Sequence, residues 1–125
     1  MIAAKFDMMN AIAAELGEEN DCAVRAVAFA TSTPYTDVRN KLRKKGRGTG
    51  EPTETETFMA VVLQCGKKFN LLSDIKGDVT TVMGELKRGV YIVTTKDHVF
   101  AVINGQKADY RNGAADQVEE VYEVY

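Results

Sequence analysis

Apolar residues recur three or four positions apart in the first half of the chain and at every second position through much of the rest. Over residues 2–16 this spacing marks one face of a helix, and the glycine at position 17 is a common helix terminator. The same pattern predicts further helices over residues 22 to about 30, 34 to about 45, 55 to about 65, and 79–86. Thr33 would cap the third helix, with Pro34 as its first residue, and Asp78 would cap the fifth.

After residue 89 the spacing of apolar residues changes to two, which predicts strands over 90–95 and 98–103. Asn104 and Gly105 have the sequence of a type I′ hairpin turn and lead into a strand over 106–110. Weaker patterns predict strands at 68–72 and around 118–124. Because the helices precede most of the strands, the expected fold class is α+β. N-terminal helices would pack on a C-terminal antiparallel sheet in a single domain of residues 1–125.

Cys22 stands at the predicted start of the second helix, after Asn20 and Asp21, which are both good N-cap residues. The first turn of a helix has unpaired N–H groups and the positive end of the helix dipole, and both favour a thiolate. The same N–H groups could donate to an oxyanion that forms at an attacked carbonyl. Cys22 is therefore a candidate nucleophile. The alternative is that it is a small buried side chain of the core.

The one histidine of the chain, His98, is the only imidazole that could act as the base for this thiol. A two-residue turn at 104–105 would place Ile103 opposite Gln106, and therefore Phe100 opposite Asp109. His98 and Asp109 would then share one face of the sheet as diagonal neighbours, about 7–8 Å apart at the backbone. Asp97 would point to the other face. Asp109 is thus the candidate to orient the imidazole in a Cys-His-Asp arrangement.

These residues resemble the papain-like cysteine peptidases, in which a cysteine on a helix is followed by a histidine and then an Asp or Asn on the next strand. The segments 20–22 and 25–28 are more specifically similar to a small bacterial and phage-encoded branch related to double-glycine leader peptidases. In that branch a helix-rich half precedes a strand carrying a His-Val pair, here His98 and Val99. The resemblance implies a papain-like fold and a thiol hydrolase that cleaves a peptide or isopeptide bond. It also implies that Cys22 is the nucleophile, that His98 is the base and acid, and that Asp109 orients the imidazole.

Papain-like enzymes also carry a glutamine a few residues before the cysteine, where it donates to the oxyanion. Here Leu16 and Gly17 lie near that spacing, and Asn20 is the candidate donor in its place. The absence of the glutamine favours an alternative function, namely a catalytically inactive papain-like module that binds a partner protein.

The composition is that of a globular protein of 125 residues, with 45% hydrophobic and 27% charged residues and a net charge of −2. No apolar run reaches the roughly 20 residues that span a bilayer, and no signal-peptide pattern opens the chain. Two cysteines without a secretory signal predict reduced thiols and a cytoplasmic location. One histidine and two separated cysteines do not have the spacing of a zinc site, and no cofactor is expected.

A basic segment forms the second candidate for function. Six basic residues fall within nine positions: Arg39, Lys41, Arg43, Lys44, Lys45 and Arg47. They could bind phosphate or nucleic acid, or dock an acidic partner. Nucleic-acid binding is disfavoured because the net charge is negative and no aromatic residues are interleaved. The simpler interpretation is a solvated helix face that runs into a loop.

Overall fold

The fold was analysed in a computed structural model, which describes residues 2–109 and 113–125. In these residues five helices and five strands follow one another along the chain: Ile2–Leu16 (α1), Cys22–Thr31 (α2), Tyr35–Lys44 (α3), Thr55–Gln64 (α4), Phe69–Leu71 (β1), Val79–Met83 (α5), Val90–Thr95 (β2), His98–Ile103 (β3), Gln106–Ala108 (β4) and Val118–Val124 (β5). The predicted α+β class is therefore confirmed, with most helices before most strands.

The five strands form one antiparallel sheet in the order β1-β5-β2-β3-β4. The hairpin of β3 and β4 has the predicted register, since Ile103 pairs with Gln106. Its turn residues Asn104 and Gly105 have φ angles of 50° and 82°, the left-handed values that a type I′ turn requires. The ladder of β2 and β5 shifts register between Thr94 and Thr95. This bulge lies where β2 approaches the hairpin turn that leads to His98.

One face of the sheet is covered by the helices, with α2 at the centre of the layer. This helix packs on β2 and β3 and also touches α3 and α4. Residues 23–31 of α2 are all buried, which explains why its sequence is apolar on every side. The core between helices and sheet includes Val24, Val27, Ile92 and Ala101. The start of α2 is thereby fixed against the strand that begins at His98.

The opposite face of the sheet has a smaller core of its own. Val93, Phe100 and Val121 of the sheet pack there against Val79 and Val82 of α5. Asp78 caps α5 as predicted, and its carboxylate accepts a hydrogen bond of 2.8 Å from the N–H of Thr81. Two covered faces explain why β2 and β3 consist of consecutive apolar residues rather than a strict alternation.

Three predicted boundaries differ from the structure. Helix α3 begins at Tyr35, and Pro34 occupies the cap position with extended backbone angles, so Thr33 is not the cap. The Thr33 hydroxyl instead accepts a hydrogen bond from the Thr31 hydroxyl at 2.8 Å. Helix α5 ends at Met83, before the predicted end at Leu86.

Strand β4 was expected to extend over 106–110, but its ladder ends at Ala108. Continued by two residues, the predicted hairpin register would set His98 opposite Arg111, which lies outside the described residues. In the described part of the chain no helix is both long enough and apolar enough to cross a membrane.

Candidate active site

Cys22 is the first residue of α2, as the sequence predicted. Asp21 stands at the cap position, but its side chain makes no capping hydrogen bond. Its buried carboxylate accepts instead from Arg25 Nε at 3.0 Å and from the Tyr35 hydroxyl at 2.7 Å. The first hydrogen bond along the helix runs from the N–H of Arg25 to the carbonyl of Asp21, at 3.1 Å. The helix itself therefore supplies no acceptor for the N–H groups of residues 22–24, which lie beside the thiol.

The His98 imidazole and the Asp109 carboxylate are in direct contact, as the hairpin register predicted. His98 Nε2 donates a hydrogen bond to Asp109 Oδ2 at 2.8 Å. Both side chains are well buried, with 6% and 3% of their surface exposed. A charged hydrogen bond of this kind is strengthened by the exclusion of water. Asp109 therefore fixes the orientation of the imidazole from the neighbouring strand.

Lys107 is a further charged group at this pair. Its ammonium lies 3.6 Å from Asp109 Oδ2 and 4.9 Å from the centre of the Phe100 ring. It thus shares the same carboxylate oxygen as His98 and packs against the ring that neighbours the imidazole. Lys107 could not be singled out from its sequence context, because its contact depends on the position of Asp109 in the fold.

Cys22 is the other group that acts on the pKa of the His98 imidazole. Burial by itself lowers the pKa of the imidazole, but the hydrogen bonds with Asp109 and Cys22 and their negative charge outweigh it. Together they raise the pKa of His98 from 6.5 to about 9. An imidazolium that is stable at neutral pH is the partner that a thiolate requires.

Cys22 and His98 open onto a common cleft with a volume of about 560 Å³. One wall consists of residues 52–55, which lead into α4, and the other consists of Thr94, Thr95 and the turn at Asp97. Asn20 and Glu119 complete the lining. The thiol is half-buried, so a substrate placed in the cleft could reach it. Asp97 also lines the cleft, but it is exposed in the turn. The carboxylate that bonds His98 is that of Asp109, as expected.

Asn20, the candidate oxyanion donor, lies at the mouth of the same cleft. Its backbone is left-handed, with φ of 50°, and its side-chain Nδ2 donates to the carbonyl of Gly50 at 3.0 Å. The amide therefore does not cap α2. Since Nδ2 carries two hydrogens and Gly50 accepts one, a second N–H remains for an oxyanion.

A buried carboxylate, that of Glu18, joins the wall of the cleft to the segment before α2, and nothing in the sequence marked it out. Glu18 has no exposed side-chain surface and forms ion pairs with Arg39 and Arg47. It also accepts from the N–H of Gly50 at 2.9 Å. Burial alone would raise the pKa of Glu18, but the hydrogen bonds from Arg47, Arg39 and Gly50 outweigh it and lower the pKa to about 2. These bonds join the α1–α2 connection to the loop before α4.

The same contacts correct the interpretation of the basic segment as a solvated helix face. Arg39 and Arg47 are buried, with 9% and 7% exposure, and bind Glu18 rather than solvent. Arg43 approaches the hydroxyl of Thr49 at 3.5 Å. The remaining basic side chains of the segment, Lys41, Lys44 and Lys45, lie along a shallow surface depression. Part of the segment thus holds the fold together.

Hydroxyl groups in the cleft are a further feature that the sequence did not reveal. Thr53, Thr94 and Thr95 all line it, and each has a buried hydroxyl oxygen without a hydrogen-bond partner in residues 2–109 and 113–125. Threonines are too common in and beside strands to stand out in a sequence. That Thr94 and Thr95 lie at the bulge near His98 is seen only in the fold.

Compared with family models, curated proteins and solved structures, the chain shows no significant match to any of them. The likeness to papain-like peptidases therefore stays a prediction from the sequence. Within the described residues, no group of three or more His, Cys, Asp or Glu side chains is placed to hold a metal ion.

Proposed function

We propose that the protein is a papain-like thiol hydrolase that cleaves a peptide or isopeptide bond through an acyl-enzyme on Cys22. The single observation that carries the proposal is that Asp109 holds the His98 imidazole at the cleft onto which Cys22 also opens. A nucleophile, a base and a residue that orients the base are the three parts of such a site. A central helix that begins at the cysteine and packs on an antiparallel sheet also supports the papain-like arrangement.

In the first step the Cys22 thiolate attacks the carbonyl carbon of the scissile bond and a carbon–sulfur bond forms. The His98 imidazolium gives its proton to the leaving amine as the carbon–nitrogen bond breaks. In the second step His98 takes a proton from water, whose oxygen attacks the thioester. The carbon–sulfur bond then breaks with its electron pair returning to sulfur, the carboxylic acid product is released, and the thiolate–imidazolium pair is restored. Asp109 keeps the imidazole in place through both proton transfers.

The negative oxygen of each tetrahedral intermediate needs donors close to the sulfur. The N–H groups at the start of α2 have no acceptor within the helix, and the positive end of the helix dipole lies at the same point. The free N–H of the Asn20 amide is the proposed side-chain donor. Since no glutamine precedes Cys22, this amide takes the part that the glutamine has in papain-like enzymes.

The first test is covalent labelling with a thiol-directed activity probe. We expect the wild type and Cys65→Ala to be labelled and Cys22→Ala to be unlabelled. Cys65 is the matched control because it is the other half-buried free thiol. The rate of alkylation of Cys22 should also fall in His98→Ala at pH 7, since the imidazolium that supports the thiolate is lost. The proposal would be refuted if labelling persisted in Cys22→Ala, or if the alkylation rate of Cys22 were the same in wild type and His98→Ala.

A second candidate function is a non-catalytic module that binds a partner protein at the same cleft. It is favoured by one observation, the hydrogen bond that occupies the Asn20 amide with the carbonyl of Gly50. For a purified partner, equal affinity for wild type and Cys22→Ala, together with an ordinary and His98-independent thiol, would support this function over hydrolysis.

A further inference from the structure

The cleft beside Cys22 and His98 is acidic. Three carboxylates line it, those of Glu54, Asp97 and Glu119, and none of the described residues lining it is a lysine or arginine. A neighbouring depression shares Asp97 and Glu119 and adds Asp116, with Lys96 as its basic member. The two depressions together form a groove in which negative charge dominates. Such a groove concentrates cations and repels anions.

The unpartnered hydroxyls give an independent sign that this cleft binds a ligand. Four buried side-chain polar atoms without a partner are found in the described residues, and three are the hydroxyls of Thr53, Thr94 and Thr95. Thr94 and Thr95 are only 5% and 4% exposed. A buried hydroxyl without a partner costs free energy, so its concentration in one cleft calls for an explanation. Each hydroxyl can turn its hydrogen about the Cβ–Oγ bond and so serve a ligand in the cleft as donor or acceptor.

We infer that the cleft takes a peptide with a lysine or arginine side chain close to the carbonyl that Cys22 attacks. The inference rests on the proposed function for the place of the scissile bond. The cationic side chain lies against the carboxylates of Glu54, Asp97 and Glu119. The hydroxyls of Thr94 and Thr95 pair with polar groups of the peptide backbone. An acidic residue at the same peptide position is repelled.

The test measures protection of Cys22 from alkylation by neutral iodoacetamide, followed site by site with mass spectrometry. Two blocked glycine-rich peptides are compared that differ only in a central Lys or Glu. Cys65 serves as the internal control, since it lies outside the cleft. We expect the Lys peptide to slow alkylation of Cys22 at concentrations roughly tenfold below those at which the Glu peptide acts. Alkylation of Cys65 should not change, and added salt should shrink the difference.

Matched variants separate the cleft from the rest of the surface. Glu119→Gln should weaken protection by the Lys peptide by about 2–5-fold. Glu123→Gln changes the same residue type on the same strand outside the cleft, and it should have no effect. Thr94→Val should weaken protection while raising the melting temperature, because the valine removes an unsatisfied hydroxyl. If Thr94 had only a structural role, its replacement would not weaken protection by the Lys peptide while raising the melting temperature.

Equal protection by the two peptides, or none by either, would overturn the inference. Because neutral iodoacetamide needs only an accessible thiol, this experiment does not depend on hydrolysis. Selective protection by the Lys peptide would support the acidic subsite even if Cys22 proved indifferent to His98. The proposed function fails if the rate of Cys22 alkylation is unchanged in His98→Ala. The inference fails if the Lys and Glu peptides do not differ in their protection of Cys22.

Discussion

His98 Nε2 lies 2.8 Å from Asp109 Oδ2, and the two residues belong to one hairpin of the sheet. The contact occupies Nε2, so the proposed mechanism assigns proton transfer with Cys22 to Nδ1. It also raises the pKa of the imidazole against the effect of burial. The chemistry proposed for the site thus depends on a short contact between neighbouring strands, and it can be tested one group at a time.

Replacement of Asp109 by asparagine should lower the pKa of His98 well below its wild-type value of about 9. Burial, which opposes the charged imidazole, would then be offset mainly by Cys22. Because the chain has one histidine, its proton resonance in an NMR titration is unambiguous. Asp97→Asn is the control, since Asp97 is next in sequence but exposed, and an unchanged pKa is expected there. A pKa that does not fall in Asp109→Asn would show that the contact does not govern the imidazole.

The raised pKa of His98 also predicts how stability depends on pH. A group whose folded pKa lies above its unfolded pKa stabilises the protein fully below the unfolded value, here 6.5. This contribution is lost as the pH rises from 6.5 through about 9. Urea unfolding of wild type and Asp109→Asn should therefore differ most below pH 6.5 and converge toward pH 9 and above. The coupling is worth roughly 1.4 kcal/mol for each pKa unit. A gap that widens at alkaline pH would contradict this linkage.

Glu18→Gln should destabilise the fold by about 3 kcal/mol or more, because it leaves Arg39 and Arg47 buried without a counter-charge. Urea denaturation at pH 7 measures the loss. Glu19→Gln is the matched control, since that side chain is exposed, and it should change stability by less than about 0.5 kcal/mol. Because the pKa of Glu18 is lowered, its contribution to the free energy of unfolding is fully present above about pH 4.5. This contribution is lost as the pH falls through about 2. Equal stability of the two variants at pH 7 would rule out a strong ion-pair network.

Asn20→Gly should slow acylation of Cys22 by roughly 100-fold if its amide donates to the oxyanion. Glycine accepts the left-handed backbone at this position, so the change removes the amide without backbone strain. Stopped-flow measurement with an activated ester substrate gives the acylation rate, and simple alkylation of the thiol serves as the control. An acylation rate that falls no further than the alkylation rate would assign Asn20 to holding the loop at Gly50.

The sequence predicted the elements whose signals are local. The bounds of β2 and β3 and the turn at Asn104 and Gly105 follow from β-branched runs and a characteristic dipeptide. Cys22 at a helix start and the contact between His98 and Asp109 followed from the same local rules. The boundary at Pro34 differed because its φ of −56° suits a helix but its ψ of 143° is extended, so the helix begins one residue later.

What the sequence could not predict depends on residues far apart in the chain. Glu18 meets Arg39 and Arg47 only when the loop before α4 folds back on the α1–α2 connection. The sequence does not show these ion pairs, so it favours a solvated face for the basic segment. The acidic cleft combines Glu54, Asp97 and Glu119 from three separate segments, so no spacing in the sequence marks it.

The hairpin that carries His98 and Asp109 has a consequence for the order in which reactivity arises during folding. The two residues are 11 positions apart, so their pairing requires only a short loop to close. Cys22 comes from the other end of the chain and reaches the imidazole only when α2 docks on the sheet. While α2 is not docked on the sheet, His98 and Asp109 can already meet within their hairpin, but Cys22 is held away from the imidazole. If Cys22 is the nucleophile, its reactivity would then depend on the docking of α2 and would arise late in folding.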